Sequence, residues 1–152
     1  MVTEMIAFKS IKDILEMGVS WERKIKDLYD VAEFGLENEK SKQVITKLKE
    51  SHINKLQILE NLDVEKYGLN EWVRFVSAYR DEDIIPTRDI RRDSTPDEIF
   101  LVLLECERKI KDFYSSVNSI LVTTKQKELF DSLVKFKEIQ IGEITNLKNS
   151  LE

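Results

Sequence analysis

Apolar residues recur at three- and four-residue intervals through most of the chain, and this spacing predicts four long α-helices. The first helix is predicted from about Ile11 to Phe34, and the second from about Glu39 to Asn61. Ser10 and Asn38 stand where N-caps are expected, and Gly35 stands where the first helix would stop. The apolar stripe of the first helix contains Ile11, Ile14, Leu15, Gly18, Ile25, Tyr29 and Ala32, and that of the second contains Ile45, Leu48, Leu56 and Leu59.

The second half of the chain shows a clear start signal for a third helix. In Thr95-Pro96-Asp97-Glu98 the threonine can cap the helix, the proline fits its first turn, and Glu98 completes a capping box. The fourth helix is predicted to begin near Thr123 or Thr124. The third stripe contains Phe100, Leu103, Ile110, Tyr114, Val117 and Leu121, and the fourth contains Leu129, Leu133, Phe136, Ile144 and Leu147.

A long connection, residues 62–94, separates the second helix from the third. Within it, residues 71–80 are predicted to form a short helix that shows Trp72, Phe75 and Tyr79. These aromatic side chains either cover one end or flank of the helices, which we prefer, or form a self-association surface. A connection of this length typically crosses from one end of a bundle to the other. We therefore expect one all-α domain over residues 1–152, a four-helix bundle of two antiparallel hairpins joined by a crossover.

Composition and charge narrow the classes of function. The net charge of −5 comes from 24 basic and 29 acidic residues mixed along the chain, which argues against general nucleic-acid binding. The single cysteine, Cys106, excludes an intrachain disulfide and a CxxC metal site. No secretory signal and no apolar run long enough to span a membrane is visible, so we expect a cytoplasmic protein without membrane contact.

A repeated octapeptide carries the candidate chemistry. ERKIKDLY, Glu22 to Tyr29, returns as ERKIKDFY, Glu107 to Tyr114. In each copy Glu and Tyr are two helical turns apart, so they share a face that is otherwise apolar. A carboxylate aimed into a core needs a partner. The inner polar positions of the second and fourth helices are Lys49, His52, Lys137 and Gln140.

This pattern resembles the ferritin-like proteins of the rubrerythrin type, over about residues 11–147. The resemblance implies that Glu22 and Glu107 are metal ligands of a diiron centre, with Tyr29 and Tyr114 forming hydrogen bonds near it. Its expected activity is diiron redox chemistry, such as peroxide reduction or iron oxidation. The family also carries Glu-x-x-His on the second and fourth helices. Here Lys49 and Lys137 stand at the two glutamate positions and Gln140 at one histidine position, and His52 alone is kept.

The replacements suggest that lysine has taken over the role of the metals. Buried carboxylates that lose their metals must be neutralised, protonated or exposed, and an ammonium group on a facing helix can neutralise them. We expect Glu22 to pair with Lys49, and Glu107 with Lys137. The predicted function is a ferritin-like protein that has lost its diiron centre and has a binding or structural role as a homodimer, with no cofactor and no catalytic residue.

Two alternatives stay open. In the first, Glu22, His52 and Glu107 hold iron or another divalent metal in a rubrerythrin-type oxidoreductase or peroxidase with a reduced site. In the second, the chain is a helical module that binds a protein partner through residues 71–80.

Overall fold

The computed structural model describes residues 5–77, 84 and 94–150. Over these residues the chain is mostly helical. The elements are strand β1 (Met5–Ser10), helices α1 (Ile11–Gly35) and α2 (Glu39–Glu60), strand β2 (Trp72–Ser77), and helices α3 (Pro96–Asn118) and α4 (Thr124–Ser150). The all-α class and the four predicted helices are confirmed.

Local capping explains where the helices begin. The Ser10 hydroxyl accepts a hydrogen bond from the Asp13 backbone N–H at 3.1 Å, and the Asn38 side chain accepts one from Ser41 at 2.9 Å. Thr95 caps α3 in the same way, with the Glu98 N–H at 3.2 Å. Each cap satisfies a donor that has no partner inside the helix, which is why these positions were visible in the sequence.

The helices pack around one core. Helix α1 packs on α2 and α3, and α4 packs on α3 and α2. At Gly18 the helices α1 and α3 approach so closely that an added Cβ would lie 3.0 Å from the Tyr114 ring. The predicted stripes of α1, α2 and α3 are all buried. In the stripe of α4, Leu133, Ile144 and Leu147 are buried as predicted, whereas Leu129 and Phe136 are half-buried and their neighbours Phe130 and Lys137 are buried instead.

The segment predicted as a short helix, residues 71–80, is instead a strand where the structure describes it. Trp72–Ser77 pairs antiparallel with Met5–Ser10, with Ser10 opposite Trp72 and Met5 opposite Ser77. Trp72 is exposed and Phe75 is buried, so the side chains alternate with the period of a strand. Val73 and Phe75 favour this conformation. Residues 78–80, with Tyr79, lie outside the described part of the chain.

The connection after α2 is fixed to the start of α1. The backbone N–H of Ile11 donates to the carbonyl of Glu71 at 3.0 Å, and that of Lys12 donates to Leu69 at 2.8 Å. The buried amide of Gln126 holds the same loop by donating to the carbonyls of Tyr67 and Gly68 at 3.1 and 3.2 Å. No described helix combines the length and apolar character that crossing a bilayer requires.

Candidate functional site: a buried carboxylate–lysine cluster

Four buried polar side chains meet in the core, one from each helix. Glu22 comes from α1, His52 from α2, Glu107 from α3 and Lys137 from α4, and each is at most 1% exposed. The octapeptide repeat explains the two glutamates, because the apolar residues around each copy turn the same helix face inwards.

Lys137 joins the two glutamates. Its ammonium group donates to Glu22 Oε1, and it donates to Glu107 at 3.2 Å (Oε1) and 3.5 Å (Oε2). All three side chains are shielded from water, so each charge depends on the others. The expected pairing of Lys137 with Glu107 is therefore found, and the same lysine also forms an ion pair with Glu22.

The predicted pairing of Lys49 with Glu22 is wrong. Lys49 lies at the edge of the α1–α2 contact, with a side chain 20% exposed, and pairs with Asp30 at 3.0 Å and Glu33 at 3.2 Å. The hydrogen bond that the Lys49 ammonium donates to Asp30, and then the one that it donates to Glu33, raises the pKa of Lys49. Leu48 and His52 occupy the buried face of α2, and this rotates Lys49 towards solvent.

The cluster holds two carboxyl groups for one ammonium group. Burial raises the pKa of Glu107, the charge of Lys137 opposes this and the charge of Glu22 adds to it, so that the pKa is about 7. Burial also disfavours the charged form of Lys137, but the two carboxylates outweigh it and raise the pKa of that amine. Near neutral pH the ammonium group is therefore charged, while Glu107 exchanges a proton.

His52 is neutral and uses one ring nitrogen. Its Nε2 lies 2.8 Å from the backbone carbonyl of Glu22, so Nε2 carries the hydrogen and donates it. Burial, followed by the charge of Lys137, lowers the pKa of the imidazole. Its Nδ1 is buried without a hydrogen-bond partner among the described residues.

The neighbouring polar groups form a second, uncharged layer. Gln140 donates to the carbonyl of Leu48 at 3.1 Å and to the hydroxyl of Tyr29 at 3.4 Å. The hydroxyl of Tyr114 is buried beside Glu22, whose charge and hydrogen bond add to the effect of burial on the tyrosine pKa. Burial raises the pKa of both tyrosines, and the glutamate charges add to this. Cys106 is buried too, and burial followed by the Glu107 charge raises its thiol pKa to about 12, so the thiol is inert.

Glu22, His52 and Glu107 could together hold a metal ion. One ligand atom from each lies within 4.8 Å of the other two, and all three residues are buried. The ammonium of Lys137 contacts two of the three, however, so it occupies the position that a cation would take. A two-metal centre does not fit this set of donors, because it needs further carboxylate and histidine ligands where this chain has Lys137 and Gln140.

The sequence indicated every member of this cluster, but it did not reveal the buried role of Gln126 or the strand at Trp72. Comparison of the chain with protein-family models, curated proteins and solved structures found no match.

Proposed function

We propose that this chain is a ferritin-like four-helix protein of the rubrerythrin type in which a lysine has replaced the metal centre, and that its role is binding or structural. The observation that carries the proposal is the fully buried ammonium of Lys137, which contacts both Glu22 and Glu107. A fixed internal cation gives the carboxylates the charge that bound metals would otherwise supply.

The ferritin-like assignment rests on order and repetition. Two helical hairpins, α1–α2 and α3–α4, are separated by a long connection, and this order of elements is the one expected for a bundle with one crossover. Helix α1 follows β1, and helix α3 follows the connection. Each of these two helices carries a Glu and a Tyr that are two helical turns apart. Glu22 and Glu107 then meet in the core from α1 and α3.

The loss of metal-dependent chemistry follows from charge and donor count. A divalent ion placed among Glu22, His52 and Glu107 would meet the ammonium of Lys137 at close range in a medium that screens charge poorly. Redox catalysis at two metals also needs ligands that leave one position open for the oxidant. This cluster supplies three ligands and one competing cation.

Metal analysis tests the proposal directly. The purified chain, and the chain incubated with ferrous, manganous or zinc ions and desalted, should both contain metal well below one ion per chain. Iron-treated protein should reduce peroxide no faster than a control in which Glu22 and Glu107 are both alanine. Turnover above that control would contradict the loss of enzymatic function.

A second candidate is a protein with one divalent metal at Glu22, His52 and Glu107. The close approach of their ligand atoms and the unpartnered Nδ1 of His52 favour it. It requires Lys137 to leave the cluster. A stoichiometric metal signal that disappears in His52→Ala would establish it. Assembly as a homodimer is part of the proposed structural role, and light scattering at several concentrations measures it.

A further inference from the structure

The ribbon formed by β1 and β2 has an aromatic and basic outer face. Phe8 is 69% exposed and Trp72 is 66% exposed. Arg74, also exposed, lies directly opposite Phe8 and two residues from Trp72, so the three side chains share one face. Large exposed aromatic side chains at neighbouring positions mark a surface that binds another molecule.

The inner face of the ribbon is anchored to the helices. Phe75 is 3% exposed, and its ring meets that of Phe113 edge-on at 6.3 Å between centroids. Hydrogen bonds from Ile11 and Lys12 to the loop before β2 hold the other end. The ribbon is therefore a fixed platform, and its outer face is directed away from the core.

The outer edge of β2 has a row of free backbone groups within the described residues. The sheet there consists of β1 and β2, and no other described backbone group forms a hydrogen bond with β2. Such an edge is a template for an added strand, and several peptide-binding domains use one in this way.

Charge indicates what kind of strand fits. Arg74 is the only charged residue at the outer-face positions of Met5–Ser10 and Trp72–Ser77, because Lys9 lies on the inner face opposite Val73. This local positive charge contrasts with the net charge of −5 of the whole chain. We propose that the outer edge of β2 binds an extended acidic segment of a partner protein. An acidic side chain of that segment lies beside Arg74 and an apolar one beside Trp72. A second copy of this chain is a poorer occupant, because it would bring the same basic residues together.

A fluorescently labelled peptide that repeats glutamate-threonine-valine-threonine is the probe, because its glutamates and valines then lie on one face of the strand. Its anisotropy should rise and saturate with the full chain, and the affinity should fall as salt is added. Arg74→Glu should weaken binding roughly tenfold or more. The same variant should bind a peptide with lysine in place of glutamate more tightly than the unaltered chain does. Trp72→Ala should weaken the binding of both peptides.

Lys40→Glu is the matched control. It makes the same change in charge at an exposed position in the first turn of α2, which begins after α1 has run 25 residues away from the ribbon. At about 1.5 Å per residue that is roughly 37 Å. This variant should bind the glutamate peptide nearly as well as the unaltered chain, and circular dichroism should show that all variants keep their helices.

Four results would overturn the proposal. One is the absence of saturable binding to the unaltered chain. Another is equal binding of a peptide in which proline replaces valine, because proline lacks the N–H that strand pairing uses. The third is a loss of peptide affinity in Lys40→Glu as large as that in Arg74→Glu, which would mean that total charge alone governs binding. The last is a dimer in light scattering that Trp72→Ala abolishes, because the occupant would then be a second copy.

Discussion

Replacing Lys137 by methionine should destabilise the protein strongly. Methionine keeps much of the apolar length of lysine and removes its charge, so Glu22 and Glu107 lose the cation that they share. Removal of one partner from a buried ion pair typically costs ~3–5 kcal/mol of unfolding free energy. Lys49→Met removes a half-buried pair at the surface and should cost only ~0–1 kcal/mol.

Urea denaturation followed by circular dichroism measures both variants. The loss in Lys137→Met should be largest at pH 8, where Glu107 is ionised, and smaller at pH 5, where it is protonated. Adding Glu22→Gln and Glu107→Gln to Lys137→Met should restore most of the stability, because no buried charge is then left unpaired. A loss below about 1 kcal/mol at pH 8 would refute the reasoning, as would an equal loss at both pH values.

Three further predictions follow from named contacts. Burial raises the pKa of Glu107 to about 7 from the ordinary 4.5 of an exposed glutamate. Its contribution to stability is therefore complete below pH 4.5 and falls by roughly 3 kcal/mol as the pH rises to about 7, and Glu107→Gln should remove this dependence in denaturant titrations. Gly18→Ala should destabilise the protein by ~1–3 kcal/mol, because the new methyl group meets Tyr114 at 3.0 Å. Gly142→Ala should stabilise it by ~0.5–1 kcal/mol, because nothing lies within 4 Å of the new methyl group. An unchanged Tm in both variants would contradict the close packing at Gly18. Gln126→Ala should cost ~1–3 kcal/mol, measured by thermal unfolding, because the carbonyl of Tyr67 and the carboxylate of Glu71 lose the donor that the buried amide supplies. A change below a few tenths would argue that water replaces the amide.

Helix positions were predictable because their causes are local. Ser10, Asn38 and Thr95 cap through residues three positions away, and each apolar stripe is a property of one helix. The repeat was equally informative about the site, because the two nearly identical octapeptides turn the same positions inwards, and Glu22 and Glu107 both lie in the core.

Two of the wrong expectations depended on neighbours that are distant in sequence. Lys49 and Lys137 look equivalent in the repeat, but the buried face of α2 passes through Leu48 and His52 and leaves Lys49 beside Asp30. The strand at Trp72 needed its partner, β1, which lies before the first helical hairpin. A short segment with apolar residues at mixed spacing fits a helix or a strand until its partner is known.

The pairing of β1 with β2 imposes an order on folding. The two strands are separated by the whole α1–α2 hairpin, so the ribbon closes a large loop and its pairing is a long-range contact of the kind that slows folding. During synthesis β1 emerges before the α1–α2 hairpin and has no β2 to pair with until the hairpin and its following loop have been made. The ribbon therefore cannot close before the hairpin between its two strands has been translated.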